Sequence, residues 1–151
     1  MKSRIAAEPE IATATINVTV NQFRPFGGVF PISALLELDD AATPGIKVSE
    51  DGSIVVKSDE PMKIVFQLTS PDYIFTGVSF STKSKEVDIG ATEFPTVTIH
   101  RDPNSQPGNR LSVVDVNAPE NRGRQYNYVL LVQSAATAEI GMIDPGIRNE
   151  P

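Results

Sequence analysis

The chain has a single histidine, His100, set in His100-Arg101-Asp102. An imidazole moves protons near neutral pH. A hydrolytic centre, however, also needs a nucleophile within hydrogen-bond reach and a third group that orients the ring. Asp102, so close in sequence, does not make the arrangement of a triad, and no nucleophile elbow occurs in the chain. His100 therefore reads as an outward residue at a strand end. The carboxylates Asp39-Asp40, Glu50-Asp51, Asp59-Glu60 and Asp72 raise a second possibility, because loops at one end of a β-sandwich can converge on calcium through about six to eight oxygens. They come as adjacent pairs on separate loops, without the spacing of a calcium loop, and read as solvated turn residues. Tyr73, Phe75, Tyr126 and Tyr128 could form a sugar platform, yet the chain has no Trp. Tyr126 and Tyr128 are expected to be mainly core, with their hydroxyls reaching the rim. A glycosidase needs two opposed carboxylates at a defined separation, and the sequence places no such pair.

Cysteine is absent, which removes disulfides, thiolate metal sites and cysteine nucleophiles together. The expectation is a protein with no catalytic residues, no metal and no cofactor. A formal charge of −6 argues against a phosphate-tracking surface, and no basic run interleaved with aromatics points to nucleic acid. No apolar run approaches membrane-spanning length. After Met1-Lys2-Ser3-Arg4 the residues Glu8, Pro9 and Glu10 interrupt any signal-peptide core, so the expected location is cytoplasmic.

The elements that must position these side chains are strands. With 151 residues and 40% hydrophobic composition the chain is one domain with a real core. Residues 1–11 read as a mobile lead-in. In residues 12–20 Ala14, Ile16, Val18 and Val20 fall on one face, with Thr13, Thr15, Asn17 and Thr19 on the other, which is a half-buried strand of period two. Residues 23–38 combine Pro25, Gly27, Gly28 and Pro31 with Phe23, Phe26, Val29 and Phe30. They read as a surface-crossing loop followed by a short strand or helical turn.

Around Asp51-Gly52 the register can be argued. A three-residue loop Glu50-Asp51-Gly52, with Gly52 left-handed in a bulge, pairs Val48 with Ile54 and Ile46 with Val56. A two-residue loop would pair Ile46 with Lys57, so hydrophobic matching favours the longer one. Met62, Ile64, Phe66 and Leu68 face inward on the next strand, then Ile74, Val78 and Phe80 on another. Residues 84–94 read as a polar loop, Val97 and Ile99 as inward positions, and residues 111–117 as a strand with a bulge or with both faces buried. About eight to ten short strands between Gly, Pro, Asn and Asp turns argue an all-β antiparallel sandwich.

The strongest strand is 125–133, and 138–143 returns beside it. Closing the loop at residues 134–138 puts Gln133 opposite Glu139. Tyr128, Leu130 and Val132 then share the core face with Ile140 and Met142. The opposite face carries Val129, Leu131 and Ile143, with Gly141 as a notch beside Leu131. A solvated second face of an antiparallel sheet should be polar. This one is apolar and must be covered, either by the 23–30 segment or by a second subunit or other protein partner. Val129, Leu131, Gly141 and Ile143 are therefore the candidate interface.

Two resemblances carry the fold further. Asn121-Arg122-Gly123-Arg124-Gln125-Tyr126-Asn127-Tyr128 resembles the entry to the sixth strand of immunoglobulin-like domains, where a Tyr hydroxyl bonds back to upstream backbone. It departs by one extra residue between Gly123 and Tyr126, and the chain lacks the core Trp and the cysteine pair. Asp144-Pro145 and the ending Glu150-Pro151 resemble the DP-EP family of bacterial proteins. That resemblance implies an immunoglobulin-like β-sandwich with no known activity and supplies no catalytic residues. The expected organisation is a lead-in over 1–11, one immunoglobulin-like sandwich over 12–145 and a tail over 146–151 that either docks or trails. The expected function is a non-catalytic structural or protein-interaction module, with a carbohydrate- or calcium-binding sandwich as the alternative.

Overall fold

The computed structural model describes residues 11–22, 30–31, 33–50, 52–58, 60–82, 94, 96–100, 108–119, 125–143 and 146–149. They form twelve strands and no α-helix. In order these are β1 (Ala12–Gln22), β2 (Phe30–Pro31), β3 (Ser33–Leu38), β4 (Ile46–Val48), β5 (Ile54–Val56) and β6 (Met62–Leu68). There follow β7 (Tyr73–Thr82), β8 (Thr96–His100), β9 (Arg110–Asp115), β10 (Gln125–Ser134), β11 (Ile140–Ile143) and β12 (Gly146–Asn149). One sheet has the order β3-β1-β6-β9-β8. The other runs β2-β11-β10-β12-β5-β4, with β7 on the far side of β10. Among the described residues, no helix is long and apolar enough to cross a membrane.

The period-two reading holds where a strand lies between two neighbours. Ala14, Ile16 and Val18 of β1 are wholly buried, and so in effect are Met62, Ile64, Phe66 and Leu68 of β6. β1 and β6 run parallel, Ile16 beside Phe66, so the two inward rows lie side by side. From the second sheet Ile54, Val56, Phe75, Tyr128, Leu130 and Val132 enter the same core. The rings of Phe66 and Tyr128 meet between the sheets at 5.7 Å between centroids. Burial of both inner faces in one cluster is the layered arrangement expected when two amphipathic sheets have no helix to cover them.

The β4–β5 hairpin has the expected register, Ile46 with Val56 and Val48 with Ile54. Gly52 sits at φ 85°, its N–H donates to Ser49 O at 2.9 Å, and Ser49 N closes the ladder on Ser53 O. Residues 33–38, left between strand and helical turn by their pattern, form strand β3, with Leu36 buried and Leu38 packed against the core. Residues 23–29 lie outside the described residues. Of the 84–94 stretch Phe94 is described, and it is buried in the core.

Three expectations are corrected. The β10–β11 register is shifted by one: Gln133 faces Ile140, Val132 faces Gly141, Leu131 faces Met142 and Leu130 faces Ile143. Ala138 causes the shift. It takes φ 62° and donates its N–H to Ser134 O, so Ser134 N reaches on to Glu139 O, Ser134 joins β10 and the loop shortens to residues 135–138. Ile143 therefore belongs to the core at 4% exposure, and Met142 takes the place expected for it on the outer face. In β7 a register shift at Thr76 pairs Phe75 with Val132 and Val78 with Leu130. Phe75 thus faces the core in place of Ile74. Finally, the sheet does not stop at residue 145: of the stretch expected to dock or trail, residues 146–149 dock as β12, which continues the line of β11, pairs Gln125 with Arg148, and runs parallel to β5 with Arg148 beside Val55.

Val97 lies on the inward side of β8 opposite Val113, as expected, but β8 is an edge and Val97 is 44% exposed.

Candidate functional site

The structure gives His100 a partner the sequence did not. His100 Nε2 lies 3.1 Å from Ser112 Oγ, and Ser112 is 5% exposed. The pair arises because β8 and β9 form an antiparallel hairpin with Thr98 opposite Ser112 and His100 opposite Arg110. Residue 100 is then a diagonal neighbour of residue 112 on the same face. Its signal was that hairpin register, legible only once residues 96–100 and 110–115 are paired. The bond holds the ring against the outer face of the five-stranded sheet, where Arg110 Nε also donates to Gln67 Oε1 at 3.0 Å. No orienting carboxylate joins it among the described residues.

Two of the turn carboxylates are spent locally, and Asp51 and Asp59 lie outside the described residues. Asp39 Oδ1 accepts from Asn17 Nδ2 at 2.9 Å, and Asp40 Oδ1 accepts from the Ala42 N–H at 2.9 Å, an Asx turn that carries the chain from β3 to β4. No group of three or more His, Asp or Glu is placed to hold a metal among the described residues. Of the aromatic candidates, Phe75 and Tyr128 are buried and Tyr73 packs against the core. Tyr128 Oη donates to Gly52 O at 3.2 Å, tying β10 to the β4–β5 turn from inside. The side chain of Tyr126 lies outside the described residues.

The proposed outer face of β10 and β11 presents Val129, Leu131, Ile140 and Met142, all half-buried, with Gly77 under Leu131. A Cβ at Gly77 would stand 3.7 Å from Leu131 Cδ1, an ordinary contact. Gly141 and Ile143, named for this face from the sequence, belong by register to the opposite one.

A different surface brings together more unsatisfied chemistry. β3 ends one sheet and β4 ends the other, and among the described residues each has a strand on one side only. Between them lies a groove of about 430 Å³ lined by residues 35–38, Ala41 and residues 46–50. Hydrogen-bonded and non-bonded pairs alternate along an antiparallel ladder. On β4 the bonded positions are fixed by Lys57 N to Gly45 O at 2.7 Å and Ser49 N to Ser53 O at 2.9 Å. Lys47 therefore bonds to β5, and the N–H and C=O of Ile46 and Val48 point out of the sheet. On β3 the bond from Asp39 N to Thr15 O at 2.9 Å sets the same alternation against β1. Glu37 and Leu35 bond inward to β1, while Leu36 and Leu38 present their backbone to the edge. Two rows of peptide groups thus border one groove, whose apolar walls are Leu36, Leu38, Ile46 and Val48 and whose exposed lining also includes Glu37, Lys47, Ser49 and Glu50. Leu35 at its lip is 39% exposed.

Such an edge is a template for another strand. Main-chain groups supply the hydrogen bonds, and the apolar walls take alternate side chains of the incoming segment. Comparison with known proteins adds no assignment: no family model matches the chain, and no curated protein matches it.

Proposed function

We propose that this chain is a non-catalytic protein-interaction module, an immunoglobulin-like sandwich of the DP-EP kind, that receives an extended segment at its β3–β4 side. The observation that carries the reading is the pair of open strand edges facing one apolar-walled groove. An unpartnered edge with apolar walls is a liability in a free protein unless something uses or guards it. The test is selection of peptides from a random display library against the full chain, followed by amide-shift mapping. Binders that move the amides of Leu36, Leu38, Ile46 and Val48 are the expected result. A library that yields no binder, or binders that perturb another surface, sinks the proposal.

Self-association through the outer face of β10 and β11 is the second reading, favoured by the four half-buried apolar side chains gathered there. Leu131→Arg should disperse such an assembly into folded monomers, read by sedimentation. A wild-type chain that sediments as a monomer removes this reading.

A further inference from the structure

We infer that the segment taken up by the groove belongs to another protein and carries the pattern apolar–acidic–apolar, laid antiparallel along β4 with its acid opposite Lys47. The inference rests on the groove reading above and names its partner. A guest strand that bonds to the outward N–H and C=O groups of Ile46 and Val48 has its own side chains in the same pleat as those of β4. Guest residues opposite Ile46 and Val48 then face into the groove, toward Leu36 and Leu38, whose walls match apolar side chains. The residue between them lies on the other side of the strand, level with Lys47.

That side has a charge of one sign. Lys47 and Lys57 border a second recess of about 390 Å³, which shares Ala41, Ile46 and Lys47 with the groove. Its remaining lining is Thr43, Pro44, Gly45 and Val55, with no acidic side chain. Neither lysine forms an ion pair among the described residues. An Asp or Glu at the central guest position would stand directly opposite Lys47, a favourable cross-strand pair.

The same charges disfavour the two like-on-like pairings of a second copy, whereas β3 of a second copy, whose Leu36-Glu37-Leu38 has the guest pattern, is the competing occupant that a concentration series of the free chain separates. Two-fold pairing of β4 on β4 about its centre sets two Lys47 side chains face to face. Pairing of β3 on β3 about Glu37 sets two glutamates face to face. Like charges directly opposite are destabilising, and an edge lysine is a common guard against self-pairing.

The experiment titrates capped nonapeptides with a central Val-Glu-Val, Val-Gln-Val or Val-Lys-Val between Gly/Ser flanks onto the ¹⁵N-labelled full chain. Affinity and the amide shifts of Ile46 and Val48 are read together. The expected order is Glu over Gln over Lys, with roughly a five-fold spread between the ends. Lys47→Glu should invert that order, and Lys47→Gln should flatten it if the reversed charge disturbs folding. Equal binding of all three peptides at these amides overturns the acidic preference and leaves the groove reading standing. Absence of binding by every peptide, with the chain folded, overturns both. Concentration-dependent broadening of the same amides without peptide makes a second copy the guest and also overturns the inference.

Discussion

The two open sides of this fold are built differently. On the β7–β8 side the sheets are stitched together by two successive carbonyls. Gly108 O accepts from Phe75 N of β7 at 2.8 Å, and Asn109 O accepts from Leu68 N of β6 at 2.9 Å. Gly108 N is itself held by His100 O at 2.9 Å. One short stretch of main chain thus reaches both sheets and occupies donors of both. On the β3–β4 side the connection through Asp40 crosses at one end, and the edges diverge into a groove. Edge strands are tolerable when their peptide groups are occupied, and among the described residues the β3–β4 side has no such stitch along its edges.

The comparison can be broken from its sealed side first. Gly108 sits at φ 79°, and a Cβ there would stand 3.2 Å from Ile74 Cβ, which is anchored to backbone. Gly108→Ala should cost about 3 kcal/mol in urea unfolding, combining left-handed strain with overpacking. A loss below that of an exposed-site substitution would mean the stitch is dispensable. Next comes Tyr128→Phe, which removes the buried donor to Gly52 O. We expect a loss of about 1.5 kcal/mol, with loosening of the β4–β5 turn visible as faster amide exchange at Gly52. Unchanged exchange would show that the open side needs no support from within.

Gly45 is the matched control on the open side. It has φ 80°, but its hypothetical Cβ meets Met62 Cε at 3.2 Å, the far end of a flexible side chain. Gly45→Ala should therefore cost about 1 kcal/mol, clearly less than the same change at Gly108. Equal costs would remove the distinction between the two sides. The smallest effect belongs to Leu35→Ser at the lip of the groove. Stability should stay within about 0.5 kcal/mol of the parent, while affinity for groove-binding peptides falls. A large destabilisation would mean Leu35 serves the fold.

How far the sequence could be read depended on how local the deciding interaction was. The β4–β5 register followed from matching Ile46, Val48, Ile54 and Val56 across a loop with a glycine able to take φ 85°. The β10–β11 register turned on Ala138 adopting a left-handed conformation, which an alanine gives no sign of. In β7, Phe75 and Val78 both face the core because the strand bulges at Thr76, and the isolated Gly77 beside it was the local sign that went unread. Pro145 was read as the end of the sheet, whereas pairing resumes at Gly146. The groove itself was out of reach, because whether β3 or β4 has one neighbour or two is settled by strands far away in sequence. Lys47 in a short apolar strand was its one local trace.

The placement of β12 has a consequence for synthesis. Among the described residues the β4–β5 hairpin joins its sheet only through β12, and β12 follows every other described strand. A polypeptide emerging from the ribosome at about 5–20 residues per second therefore exposes that hairpin for seconds before its docking edge exists. Until then Ile46, Val48, Ile54 and Val56 have half a core to lie on, and a chaperone bound during translation would find them first.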